Sequence, residues 1–133
     1  MTAETKTSKR LYVAHDNGIH EFIFPDVSNE TLDWWFAQLD QIYIKHANDG
    51  VVRFLYLSAD LLPSISAVTT RVRAQNRRLP NRPATRVAVL YNNARTMVYL
   101  NVFSQIANTV GRDTTRFFNK DHRQEAIEWL LQS

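Results

Sequence analysis

Apolar and polar positions change period several times along the chain, and each change marks an element. Leu11 to His15 and Ile19 to Phe24 are short apolar segments flanking Asp16-Asn17-Gly18. Asn-Gly is a strong hairpin signal, because both residues accept the positive φ of a type I′ turn. A two-residue turn at Asn17-Gly18 sets Asp16 opposite Ile19 and His15 opposite His20, and Pro25-Asp26 ends the second strand. Ser28 is a favoured N-cap residue. After it Leu32, Trp35, Phe36, Leu39, Ile42, Tyr43 and His46 recur at three- and four-residue spacing, which predicts a long helix with one apolar stripe. Asn48-Asp49-Gly50 closes it, with Gly50 suited to a left-handed exit.

Val51 to Leu57 (VVRFLYL) is almost wholly apolar and rich in β-branched and aromatic residues, as a central strand covered on both faces would be. A loop from Ser58 to Pro63 follows, then a helix from about Ser64 to Leu79 whose stripe is thin: Ile65, Val68, Val72 and Leu79. Pro80 to Pro83 forces a turn. Val87 to Tyr91 reads as the next buried strand. A helix capped by Asn92 or Asn93 then runs to about Val110, with Gly111 at its exit. Thr114 to Phe118 is a short strand. Asp121 opens the last helix, and Gln124 three residues on makes a capping box. The order β-β-α-β-α-β-α-β-α argues for an α/β layer fold with a mixed five-stranded sheet and four helices.

Composition narrows the function classes. The 133 residues are the length of one domain, read here as residues 11–133 behind a frayed polar tail at 1–10. The absence of cysteine removes disulfides, thiolate metal sites and a cysteine nucleophile. Met1 to Arg10 lacks the apolar core of a signal peptide, and no apolar run approaches the roughly 20 residues that span a bilayer. A cytoplasmic protein with no membrane span is therefore expected. The net charge of +3 permits an anionic partner without specifying one.

The three stretches VRFLYLSAD (52–60), TRVAVLY (85–91) and TTRFFNKDHRQEAIEWLLQ (114–132) together resemble the SpoIIAA-like proteins, a bacterial group with the STAS fold, related in architecture to CRAL-TRIO lipid-transfer domains. The likeness covers most of the chain from Leu11 onward and rests on core strands and a terminal helix. It implies a non-enzymatic regulatory or protein-interaction module. In the phosphoswitch members a serine at the start of the helix after the central strand is phosphorylated. Ser64 and Ser66 are the positional counterparts here, although the family's Asp-Ser pair is absent and Pro63 precedes Ser64. The alternative for either serine is plain helix capping. By analogy with CRAL-TRIO domains, the second functional reading is a small-ligand or lipid carrier with an arginine-lined anion site.

The candidate chemistry is thin. His15 and His20, facing across the hairpin, could hold a metal or repel when protonated, but two histidines fall short of the four ligands of a structural zinc site. His46 near a helix C-terminus gains from the dipole, and His122 has no nucleophile partner at a recognisable spacing. No catalytic constellation, metal site or cofactor is expected. The most uneven feature is arginine: Arg71, Arg73, Arg77, Arg78, Arg82 and Arg86 occur in one segment with no acid among them. They either bind an anionic ligand, partner or nucleic-acid backbone, or pair with acids such as Asp33, Asp40 or Glu30. Without interleaved aromatics for base stacking, nucleic acid ranks low. Arg53 interrupts the central strand, where an unpaired charge is costly. It needs a buried carboxylate or carbonyl partner, or else it anchors a ligand. Trp34 falls about 160° from the centre of its helix's stripe and is expected to be exposed. Together with Met97 and Leu100, which leave the main stripe of helix 97–110, it marks an expected homodimer interface.

Overall fold

A computed structural model describes residues 10–57, 63–93, 98, 101 and 113–132. Its elements are β1 (Leu11–Ala14), β2 (Ile19–Ile23), α1 (Asn29–Lys45), β3 (Val51–Leu57), α2 (Ile65–Arg78), β4 (Ala84–Tyr91), β5 (Asp113–Asn119) and α3 (Arg123–Leu131). The five strands form one sheet in the order β1-β2-β3-β4-β5. β1 is antiparallel to β2, and all later neighbours are parallel. The protein is thus α/β with a mixed five-stranded sheet, and three helices lie among the described residues. The expected helix reaching Val110, with Met97 and Leu100, lies outside them apart from Val98 and Asn101, which are helical and exposed. No helix among the described residues is long and apolar enough to cross a membrane.

The strand alternation explains the two cores. Phe22, Val52 and Phe54 point to one face, where Leu32, Phe36, Leu39, Ile42 and Tyr43 of α1 and Val68 of α2 cover them. Because successive crossovers advance in the same direction across the sheet, a common hand keeps α1 and α2 on the same side. Ile19, Leu55, Ala88, Leu90 and Phe118 point to the other face, where Ala126 and Leu130 of α3 meet them. β3 is apolar on both sides because both sides are covered. Burying one of its large apolar side chains is worth about 2 kcal/mol.

Local signals set the helix starts. The Ser28 hydroxyl accepts from the Thr31 N–H at 3.2 Å, and that of Ser64 from the Ala67 N–H at 3.2 Å. Three local expectations need correction. The hairpin loop has three residues: Gly18, at φ +89°, donates to the His15 carbonyl, and the His15 N–H to the Ile19 carbonyl. The Asn17 side chain accepts from the Ile19 N–H at 3.1 Å. His20 therefore pairs with Ala14, and the one-residue slip puts His15 and His20 on opposite faces. The Asp121–Gln124 capping box does not form. Asn119 instead caps a 3-10 turn, Lys120–His122, by accepting from the Asp121 N–H, and α3 starts after it without a side-chain cap. Trp34 is half-buried, packed edge-on against Phe22 at 5.8 Å and Phe24 at 6.3 Å. Its indole is long enough to round the flank of α1 and cover the aromatic edge of the sheet, which an angular count alone overlooks.

Candidate functional site

Between the sheet and the two helices α1 and α2 lies a cavity of about 160 Å³. Its floor is built by the same alternation that makes the core: Phe54 and Tyr56 of β3, Val87 and Val89 of β4, and Phe117 of β5. α1 contributes Leu32, Trp35, Phe36, Leu39 and Tyr43, and α2 contributes Val68, Val72 and Gln75. Trp35 stands perpendicular to Tyr56 at 5.4 Å, and its indole N–H donates to the Tyr56 hydroxyl at 3.3 Å.

One end of the cavity is polar. Arg82, just before β4, donates to both oxygens of Asp113 at the start of β5, at 3.0 and 2.9 Å. It also donates to the Pro83 carbonyl and to Asn76. The Thr85 hydroxyl donates to the same Asp113 carboxylate. The guanidinium lies 5.2 Å from the centre of the Tyr43 ring. Burial on its own would lower the Arg82 pKa, but the Asp113 bonds and the surrounding groups raise it, so Arg82 keeps its positive charge. Gln75 is buried and donates through Nε2 to Asp40 at 2.9 Å, which orients its amide. Burial pushes the Tyr43 and Tyr56 hydroxyls well above the usual phenol pKa, so both keep their protons. The Tyr43 and Gln75 side chains both line the cavity.

Of the arginines singled out by the sequence, Arg82 stands at this cavity and the others do not line it. Arg53 and Arg86 are cross-strand neighbours on the opposite face of the sheet. Arg53 donates to the Leu130 carbonyl at 2.6 Å and Arg86 to the Trp129 carbonyl at 2.9 Å. Arg86 also stacks 4.0 Å from the Trp129 ring centre. They thereby bond to last-turn carbonyls of α3, at the negative end of its dipole; that of Trp129 also accepts from the Gln132 N–H at 3.3 Å. Arg71 pairs with Asp33 at 2.9 Å and Arg78 with Asp40 at 2.7 Å, tying α2 to α1. Arg73 and Arg77 are exposed, as are Ser64 and Ser66 at the start of α2.

The histidines are also redistributed. His20 is buried, bonded through Nδ1 to the Tyr12 hydroxyl at 2.6 Å, and its ring neighbour is His46 at 5.3 Å rather than His15. His15 bonds to Glu21, a buried carboxylate that Arg123 grips through two 2.8 Å bonds. Among the described residues no group of three or more His, Cys, Asp or Glu is placed to hold a metal.

Sequence reasoning named Arg82 but missed its Asp113 partner and the rest of the polar end. One signal was available: Gln75 falls on the α2 stripe, seven residues after Val68 and three after Val72, where an apolar residue is expected. The Arg82–Asp113 pair, 31 residues apart, had no local signature. No protein-family model matches the chain, nor does any curated protein or solved structure.

Proposed function

We propose that the chain is a non-enzymatic ligand-binding module, holding a small, largely apolar organic molecule between the sheet and helices α1 and α2. The supporting observation is the aromatic-walled cavity of about 160 Å³ between the sheet and the two helices. Ligand sites are characteristically apolar concavities with a few fixed polar groups. A long acyl chain exceeds the volume, and the one arginine of that run on its wall, Arg82, is already bonded to Asp113, so the reading narrows from a lipid carrier with an anion site to a carrier or sensor of compact molecules. Trp35 on the cavity wall supplies the assay. Single-ring aromatic compounds and short acyl compounds should perturb its fluorescence and raise the melting temperature by mass action. Val72→Phe should fill the space and abolish both effects while the chain stays folded. No response from any such compound would overturn the reading.

A second reading keeps the SpoIIAA-like, STAS-type regulatory role that the resemblance implies. Exposed Ser64 at the N-cap of α2 supports it, because a phosphate there would meet free backbone N–H groups and the positive end of the helix dipole. Intact mass of the protein from its native host tests it, and an unmodified chain under all growth conditions would count against it.

A further inference from the structure

We infer that Asp113 sets the ligand selectivity of the cavity: by filling the fork of Arg82 it restricts the site to neutral, single-ring aromatic molecules and shuts out carboxylates. The inference rests on the ligand-binding reading above and adds the class of ligand and the residue that selects it. Size and walls come first. An apolar cavity of about 150 Å³ holds benzene, so about 160 Å³ admits one ring with little else. Phe24, Trp35, Phe54, Tyr56 and Phe117 line it. Trp35 already meets Phe24 and Tyr56 edge-on at 5.3 and 5.4 Å, an arrangement that a further flat ring extends.

Charge decides the rest. Among the described residues, the charged side chains on the wall are Asp26, Arg82 and Asp113. Asp26 accepts from the Ser28 N–H and from the Ser28 and Thr31 hydroxyls. Arg82 is the group that would hold an anion, and its side chain is only 4% exposed. A buried guanidinium on a cavity wall is well suited to grip a carboxylate through two parallel bonds. Asp113 takes that place: its two oxygens accept from Nη1 and Nη2 at 3.0 and 2.9 Å. The protein thus supplies its own carboxylate where a ligand's would sit. An incoming carboxylate would lose its hydration beside Asp113 and find no fork to receive it.

The fork has other supports that hold its aim. Nε of Arg82 donates to Asn76 at 3.2 Å and Nη1 to the Pro83 carbonyl at 3.1 Å, while the guanidinium lies over the Tyr43 ring. Deleting the Asp113 carboxylate therefore leaves a buried, oriented cation and the space of one carboxylate on the cavity wall.

The test uses the full chain with toluene, benzoate and nitrobenzene as probes, following dissociation constants by NMR titration. Nitrobenzene has the shape of benzoate without its charge. Wild type should bind toluene and reject benzoate. Asp113→Ala should bind benzoate at least about tenfold more tightly than wild type does, the scale of charge-assisted bonds, and more tightly than nitrobenzene. Arg82→Met combined with Asp113→Ala should keep toluene and lose benzoate. If Asp113→Ala does not fold alone, benzoate should restore its native amide spectrum by mass action and nitrobenzene should not. Wild type that binds benzoate as tightly as toluene overturns the assignment and leaves the cavity reading standing. So does an Asp113→Ala variant that gains benzoate and nitrobenzene equally, or gains neither, while wild type binds toluene. If no probe binds wild type or variant, both readings are overturned.

Discussion

The Arg53 guanidinium donates from Nε to the Leu130 carbonyl at 2.6 Å, joining the central strand to the last turn of α3 across 77 residues. A charge in the middle of an apolar strand is tolerated because it meets the negative end of a helix dipole and a carbonyl that the helix cannot satisfy itself. Arg86, its cross-strand neighbour, donates to the Trp129 carbonyl, which also accepts from the C-cap Gln132 N–H. The pair fastens α3 to its face of the sheet.

Arg53→Met should therefore destabilise the fold by about 2 kcal/mol, the scale of a hydrogen bond to a charged group. Arg53→Lys should recover part of the loss, because an ammonium keeps the charge but not the guanidinium geometry. Urea unfolding midpoints at constant slope measure both.

Acid should weaken the protein in two separable steps, and His20 governs the first. Burial, then the positive charges of His46 and Lys45, lower its pKa from 6.5 to about 4. The unfolded chain takes up this proton below about pH 6.5 while the folded chain refuses it until about pH 4. Stability is full above pH 6.5 and falls between those values by up to about 2 kcal/mol, less than the full shift would give. NMR should show the His20 ring titrating near pH 4, and His20→Phe should remove this part of the pH dependence.

Glu21 governs the second step. Its bonds to Arg123 hold the carboxyl below the usual value of 4.5, opposed by burial and helped by His15. A depressed acid stabilises the folded state above its unfolded pKa, and the contribution disappears as pH falls below about 4.5 through the folded value. Glu21→Gln should be less stable than wild type at pH 7, and the difference should shrink toward pH 3 in urea titrations. Arg123→Met, which strands a buried carboxylate, should cost about 2 kcal/mol at pH 7 and progressively less as Glu21 protonates.

Ser64 and Ser66 should separate sharply. Ser64→Ala removes the bond to the Ala67 N–H and should cost about 1 kcal/mol, whereas Ser66→Ala, at an exposed helical position, should stay within about 0.5 kcal/mol. Ser64→Asp should retain most of the stability, since aspartate also caps and its charge suits the helix start. Thermal unfolding of the three variants checks the ranking.

Periodicity and capping are local, and they were legible. β3 lies where a two-sided apolar run placed it, and α1 and α2 start after the serines that cap them. β4 begins at Ala84, before its apolar run, because Thr85 and Arg86 join the ladder through pairing with Val52 and Arg53 rather than through their own hydrophobicity.

What the residues could not reveal alone depends on register and on strand order. The hairpin pattern was visible, yet the choice between a two-residue and a three-residue loop shifted every pairing by one, sent His20 to the α1 face and left His15 with Glu21. The uneven run of arginines was plain in the sequence, but its partners came from three other elements: Asp33 and Asp40 on α1, Asp113 on β5, and carbonyls of α3. The cavity belongs to this second class. Its walls are ordinary core residues at ordinary spacings, and only the seating of α1 and α2 on the sheet leaves space beside Tyr43 and Gln75. Short-range propensity dictates elements because it acts within a few residues of chain. Space and polar pairing between elements are collective, and they exist only once the layers have packed.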